Sequence, residues 1–108
     1  MKQERLNLLI EFYNEDPTDP FNVYALAMEY LNEDMMKAKG YLDELLEKHE
    51  NYLPTYYHAA ALYAEIGQSE NAKLTYQKGM ELARNQKNTK TLLELQRAYQ
   101  MFLDDEED

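Results

Sequence analysis

Apolar side chains recur every three to four residues along the whole chain, the spacing of one face of an α-helix. Polar or proline-containing breaks divide this pattern into six segments. No stretch shows the alternation of apolar and polar residues expected of a strand, so the pattern predicts an all-α protein. The predicted helices are residues 1–16, Pro20 to about Leu31, Met35 to about Lys48, Pro54 to Gly67, Ser69 to about Asn85–Asn88, and Thr89 to Leu103.

Local signals mark several of the helix ends. Asp19 precedes a proline and is typical of an N-cap, and Gly67 is typical of a left-handed C-cap. Ser69 is the expected N-cap of the fifth helix. Thr91 and Glu94 have the spacing of a capping box, which leaves open a start of the sixth helix three residues later.

The chain repeats itself at a period near 34 residues. Ala38 and Ala72 are 34 positions apart, and Leu42 and Tyr76 follow them by four residues each. A second pair of matching segments has an offset of 33: Val23-Leu26-Ala27-Tyr30 and Tyr56-Ala59-Ala60-Tyr63. The first inter-helix turn is therefore predicted to be one residue shorter than the turn at Gly67.

These repeats resemble the tetratricopeptide repeat (TPR) family. The second copy carries the signature more completely: Tyr56, Ala59, Ala60, Tyr63, Gly67, Ala72 and Tyr76. It departs from the family pattern because Tyr56 replaces the usual tryptophan, Ala60 replaces the usual glycine, and no proline follows Ala83. In the first copy, Asn32 is the candidate substitute for the turn glycine.

The resemblance implies antiparallel helical hairpins stacked as a short right-handed α-solenoid of about six helices. Ala59, Ala60 and Ala72 would mark the close crossing of one hairpin. We expect a single domain over residues 1–103 and an acidic tail over 104–108. Its parts would be an N-terminal capping helix (1–16), a first repeat (20–49), a second repeat (54–87) and a C-terminal capping helix (89–103).

Composition and charge narrow the function classes. The chain has 108 residues, a net charge of −10 and no cysteine. This acidity disfavours nucleic acid, since phosphate contacts dominate such binding. No apolar run approaches the ~20 residues of a membrane span, and no secretion signal is recognisable. We expect a cytoplasmic protein that uses neither nucleic acid nor a membrane as partner.

The sequence contains no catalytic or metal-binding motif. Metalloprotease, di-iron and glycine-rich phosphate-loop patterns are all missing. His49 is interpreted as a residue at a helix C-terminus, and His58 as a structural or ligand-contacting histidine. We therefore expect no enzymatic activity, no cofactor and no metal.

The resemblance also implies a binding surface. In TPR proteins the first helix of each pair lines the concave face. By helical position, this face would hold Phe21, Tyr24, Met28 and Leu31 in the first repeat, and Tyr57, His58, Ala61, Ala64 and Glu65 in the second. The alternative is that the sixth helix packs onto part of this face. The lysine and asparagine pair of the TPR carboxylate clamp is replaced by Tyr24 and Met28, then Tyr57 and Ala61, which argues against that specialisation.

Two functions follow as hypotheses. The first is a non-catalytic scaffold that binds a peptide or partner helix in the concave groove. The second is self-association, in which the acidic first third of one copy docks on the basic Lys73–Arg97 region of another. Such a charge-driven contact would weaken as salt rises.

Overall fold

The structure is a computed structural model, and it describes residues 2–107. These residues form six α-helices and no strand: α1 (Lys2–Glu15), α2 (Pro20–Tyr30), α3 (Met35–Lys48), α4 (Pro54–Glu65), α5 (Ser69–Asn85) and α6 (Thr89–Glu106). The predicted all-α class is confirmed. The chain divides into two compact units, the first ending at Thr55 and the second beginning at Tyr56.

The first unit is centred on the hairpin of α2 and α3. Each helix carries its buried side chains at helical spacing: Val23, Leu26 and Ala27 in α2, and Ala38, Leu42 and Leu45 in α3. None of these six side chains is more than 1% exposed. Asp19 caps α2, because its carboxylate accepts a hydrogen bond from the backbone N–H of Phe21 at 2.9 Å. The periodic apolar positions thus form the core of this unit, as the pattern predicted.

Helix α1 covers this hairpin without burying a side chain completely. The Tyr13 hydroxyl donates to the Glu44 carboxylate at 3.2 Å. The Tyr13 ring meets the Tyr41 ring edge-on, with centroids 5.8 Å apart. Arg5 and Glu29 form an ion pair at 3.3 Å. Such partly exposed contacts stabilise weakly, so α1 is held less firmly than α2 and α3.

The second unit buries one face of α5. Five residues of α5 at helical spacing are buried: Ala72, Tyr76, Gly79, Met80 and Ala83. Helix α4 contributes Tyr56, Ala59, Ala60 and Tyr63, each no more than 8% exposed. From α6 come Leu95 and Phe102. Matching small and large positions in α4 and α5 therefore build the core, as expected of a repeat hairpin.

Gly79 marks the tightest approach to α5. A Cβ atom placed on Gly79 would lie 2.7 Å from the Cβ of Tyr56 and 3.2 Å from Cδ1 of Leu95. Carbon atoms in van der Waals contact are about 3.5–4.0 Å apart. Helix α5 therefore packs closely at Gly79 against both α4 and α6. Helical spacing puts Gly79 on the same face as Ala72, Tyr76 and Ala83, but it does not identify this contact.

The same motif closes α4 and α5. After α4, Gly67 takes φ 81°. The N–H of Gln68 bonds to the Tyr63 carbonyl at 2.8 Å, and that of Gly67 bonds to Ala64 at 3.2 Å. This pair of bonds is the Schellman motif, which confirms Gly67 as the left-handed C-cap.

After α5, Lys87 takes the same position with φ 58°. The N–H of Asn88 bonds to the Ala83 carbonyl at 2.9 Å, and that of Lys87 bonds to Arg84 at 3.0 Å. A lysine therefore adopts a conformation that glycine adopts at no steric cost.

Three local predictions were wrong. Gln68, and not Ser69, stands at the N-cap position of α5, because the Schellman turn leaves a single residue before the helix starts. Asn32 does not adopt a left-handed conformation. Its turn is instead closed by the N–H groups of Glu33 and Asp34, which both bond to the Tyr30 carbonyl. Asp34 then caps α3. The third wrong prediction is the shorter first turn, since the turn between α2 and α3 covers residues 31–34 and the turn between α4 and α5 covers only 66–68. The reason is that α4 continues to Glu65, past the position that matches the end of α2.

The limits of α6 also refine the prediction. Asn88 caps the helix by accepting a hydrogen bond from the N–H of Thr91 at 3.0 Å. This places the start at Thr89 and rules out the later start at a Thr91–Glu94 capping box. The helix continues to Glu106, three residues beyond the predicted end at Leu103. Asp104, Asp105 and Glu106 are therefore helical, and Asp108 of the predicted tail lies outside the described residues.

Replacing Lys87 by glycine is expected to stabilise the protein. A non-glycine residue in the left-handed region costs about 1–2 kcal/mol, and part of this cost is offset by the greater flexibility of glycine in the unfolded chain. We expect Lys87→Gly to raise the free energy of unfolding by about 0.5–1 kcal/mol in urea titrations followed by circular dichroism. The control is Lys90→Gly in the exposed first turn of α6, which should not stabilise. Equal effects of the two substitutions would show that the left-handed backbone at Lys87 carries no steric cost.

Candidate functional site

An open groove of about 560 Å³ lies in the second unit, between α4 and α6. Helix α4 lines one side with Tyr57, Ala61, Ala64 and Glu65. The other side is formed by α6 through Glu94, Arg97, Ala98, Met101, Phe102, Asp105 and Glu106. Tyr76 of α5, which is only 4% exposed, lies at the base. Four of the five binding residues predicted in the second repeat therefore face one groove.

The groove exists because α4 separates two sets of residues by helical spacing. Tyr57, Ala61 and Ala64 follow one another at intervals of four and three residues and share a face. The core residues Ala59, Ala60 and Tyr63 occupy another face and are buried. Short alanine side chains at positions 61 and 64 leave open space beside the helix. Tyr57 stands at its edge with 41% of its surface exposed.

Helix α6 packs on the core with one face and lines the groove with another. Leu95 is fully buried, and Phe102 is 9% exposed. The Phe102 and Tyr76 ring centroids are 5.8 Å apart, which anchors α6 to α5. Ala98 and Met101 line the groove, and Met101 is 69% exposed. Exposure of a large apolar side chain beside a concave surface is typical of binding sites.

Aromatic contacts fix the base of the groove. The Tyr76 ring lies 5.6 Å from the Tyr99 ring, and the Tyr99 hydroxyl accepts a hydrogen bond from the Gln77 amide at 3.0 Å. Burial raises the pKa of Tyr76 above 10.0, and the neighbouring Tyr57 adds a smaller increase. Tyr76 is therefore neutral at physiological pH and offers no negative charge to a ligand. Its part is to give the groove a rigid apolar base.

His58 does not line this groove. Its ring packs edge-on to Tyr57 with centroids 5.4 Å apart, and the side chain is half-buried. Burial lowers the pKa of His58 below 6.5, so the imidazole is neutral at pH 7. We interpret it as a residue that positions Tyr57.

In the first unit, the four predicted binding residues differ in exposure and in their neighbours. Phe21 is 61% exposed, whereas Tyr24 is half-buried with its ring 5.7 Å from that of Tyr52. Met28 lines a separate pocket of about 300 Å³ with residues of α1. Leu31 is the half-buried C-cap of α2. Their role in binding stays a prediction.

Within the second unit, the position of α6 bears on the alternative raised by the sequence. This helix packs on α5 and supplies one wall, and it leaves the groove open. The sequence-based site therefore missed the α6 residues, Arg97 among them, and it also missed Tyr76 of α5. A usable signal was present: Leu92, Leu95 and Tyr99 repeat the apolar pattern of a first repeat helix with a shift of two residues. That pattern predicts a second groove-lining helix as readily as a cap.

Two structural features of the described residues bear on the function classes. Within residues 2–107, no cluster of three or more histidine or acidic side chains could hold a metal ion. None of the six helices is both long and apolar enough to cross a membrane.

Hairpins of this kind, with small residues at the helix crossing and an open groove between first helices, define the class of helical repeat proteins. Two solved structures of a tetratricopeptide repeat domain protein from Salinibacter ruber resemble the chain. The solution structure has 41% sequence identity and a TM-score of 0.75, and the match covers 81% of this chain and 89% of that one. The crystal structure has 39% identity and a TM-score of 0.74, with 78% and 96% covered. The chain belongs to the tetratricopeptide repeat family.

Comparison with family profiles gave no match, and neither did comparison with curated proteins. Membership of the family, shown by the solved structures, indicates a module for protein–protein interaction. Proteins of this family are typically non-catalytic scaffolds. The partner and the surface that binds it are matters for proposal, since a fold alone does not define a function.

Proposed function

We propose that the protein is a non-catalytic interaction module and that the groove between α4 and α6 binds a peptide or a partner helix. The observation that carries this proposal is the groove itself, with its exposed Tyr57 and Met101 and its open volume of about 560 Å³. A space of this size accommodates several side chains of a bound segment. In the first unit, Phe21, Tyr24, Met28 and Leu31 are proposed as further contact positions.

The shape of the groove suits a bound segment whose bulky side chains point into it. Ala61, Ala64 and Ala98 give shallow walls that admit bulky partner side chains, and Tyr57 offers a rigid aromatic surface. Tyrosine is among the residue types that contribute most to interface energies. Binding would bury Tyr57 and Met101, whose exposure is otherwise unfavourable.

The test is a selection of 16-residue peptides from a random displayed library on the wild-type protein. Dissociation constants of the selected peptides are then measured by fluorescence anisotropy. We expect Tyr57→Ala to weaken binding about tenfold or more, since an aromatic anchor contributes at least ~1.4 kcal/mol. Circular dichroism should show little loss of helix, because Tyr57 is a surface residue.

The matched control is Leu74→Ala, which removes another exposed apolar side chain of the second unit outside the groove. It should leave the affinity unchanged within about twofold. Equal losses from both substitutions, or a selection that yields no peptide sensitive to Tyr57, would contradict the proposal. Loss of helix in Tyr57→Ala would assign this residue to the core.

Head-to-tail self-association remains the second candidate. One observation favours it: the cations of the basic region on α5 and the following turn, namely Lys73, Lys78, Arg84 and Lys87, are all exposed. None of them forms an ion pair with another described residue. These side chains are available to an acidic surface of a second copy.

A further inference from the structure

The charges around the α4–α6 groove are unbalanced. Four carboxylates line it, those of Glu65, Glu94, Asp105 and Glu106, against the single guanidinium of Arg97. None of the four carboxylates forms an ion pair with another of residues 2–107. The groove therefore carries a net negative charge that the second unit itself leaves uncompensated.

The helix ends add to this negative potential. Glu65 is the last residue of α4, and Glu106 is the last residue of α6. The C-terminus of a helix carries a partial negative charge, so acidic side chains there are unfavourable and cations are favourable. The last turn of α6 holds no basic residue. Helix stability therefore does not explain why carboxylates stand at these positions.

The three terminal carboxylates share one end of the groove. Position 79 of α5 lies against Tyr56 near the start of α4 and against Leu95 in the first half of α6, whereas Tyr76, earlier in α5, contacts Phe102 later in α6. Helices α4 and α6 therefore both run antiparallel to α5 and in the same direction as each other. Glu65, Asp105 and Glu106 thus lie toward the C-terminal end of the groove, and Glu94 lies toward the other end. Between them lie the apolar side chains of Ala61, Ala98 and Met101, with Arg97 next to Ala98 on α6.

We infer that the groove selects a basic amphipathic segment of a partner protein. This inference rests on the proposed function and specifies the chemistry of the partner. Apolar side chains of the segment would pack on Ala61, Ala98 and Met101. Its lysine or arginine side chains would meet Glu65, Asp105 and Glu106, where the carboxylates and the two helix ends act together.

Other cationic ligands fit less well. The described acidic residues do not cluster as metal ligands, so a bare metal ion lacks a coordination site. An acidic or phosphorylated segment would meet four carboxylates and a chain of net charge −10. A small organic cation would leave the apolar middle of the groove uncovered. A segment with both basic and apolar side chains would contact the carboxylates and the apolar side chains of the groove together.

The first test is the composition of the peptides selected from the random 16-residue library. We expect the peptides that lose binding to Tyr57→Ala to combine apolar side chains with a positive net charge. Peptides that depend on Tyr57 but are neutral or acidic would overturn this inference while the proposed function stands. A selection without any Tyr57-dependent peptide would overturn both.

The second test separates local charge from the overall acidity of the chain. The double substitution Glu65→Gln and Asp105→Asn removes two groove carboxylates and should weaken binding of a selected basic peptide about fivefold or more. The control, Glu70→Gln with Glu81→Gln, makes the same change in net charge at exposed positions of α5 outside the groove. It should change affinity less than about twofold at 0.15 M salt, where the Debye length is about 8 Å.

Folding does not confound this comparison, because removing a negative charge from a helix C-terminus does not destabilise the helix. Equal losses of affinity in the two double variants would assign the effect to net charge and overturn the inference. Full affinity in the Glu65→Gln and Asp105→Asn variant would overturn it as well.

Discussion

Substituting alanine for Gly79 is expected to destabilise the protein, although alanine is the better helix former. The new Cβ would lie 2.7 Å from the Cβ of Tyr56. Because a Cβ is fixed to its backbone, the strain is relieved only if α4 and α5 move apart. Overpacking of this kind costs about 1–3 kcal/mol or more, which exceeds the gain in helix propensity of about 1 kcal/mol.

The chain supplies a matched control in Gly40. It lies within α3, and a Cβ added there would meet no atom within 4 Å. Gly40→Ala should therefore raise the free energy of unfolding by about 0.5–1 kcal/mol. The two substitutions are chemically identical and should have opposite signs in urea titrations. A stabilising Gly79→Ala would show that the helices are not in close contact at this point.

Leu95→Ala is expected to produce the larger loss of stability. Leu95 of α6 is fully buried, and its Cδ1 would lie 3.2 Å from a Cβ atom placed on Gly79. Truncation of a buried leucine leaves a cavity and costs about 2–5 kcal/mol. Because Leu95 anchors the helix that forms one wall of the groove, peptide affinity should fall as well.

Leu93→Ala provides the comparison in the same helix. Leu93 is 46% exposed, so its truncation should change the free energy of unfolding by no more than about 0.5 kcal/mol. Both variants replace leucine by alanine and so change helix propensity equally. Similar losses in the two variants would contradict the packing of α6 described above.

The sequence predicted those features that depend on periodicity. The spacing of Val23, Leu26 and Ala27 identifies the buried face of α2 without knowledge of its neighbours, and the structure confirms it. Gly67 was predictable for a similar local reason, since a left-handed C-cap favours glycine. Both features are properties of a single helix and its end.

Features that depend on which helices meet were not accessible in this way. The pattern places Gly79 on the buried face of α5, but only the structure shows that Tyr56 and Leu95 both contact that position. The continuation of α6 through Asp104 was also missed. A run of acidic residues indicates a solvated segment, yet such residues are only modestly unfavourable in a helix that is already anchored.

The sequence predicted one of the two walls of the candidate site. Helical position on α4 placed Tyr57, Ala61, Ala64 and Glu65 on one face, and the structure puts them together in the groove. The opposite wall was missed, because its residues belong to a helix that the repeat pattern matches only with a shift. The negative charge of the groove arises mainly from this missed wall.

The α4–α6 groove is the proposed binding surface of the protein. Its most direct test is isotope-filtered NOE spectroscopy of a selected unlabelled peptide bound to the ¹³C-labelled protein. We expect intermolecular NOEs from apolar side chains of the peptide to the methyl groups of Ala61, Ala98 and Met101. NOEs confined to methyl groups outside the groove, such as those of Leu8 or Leu74, would contradict it.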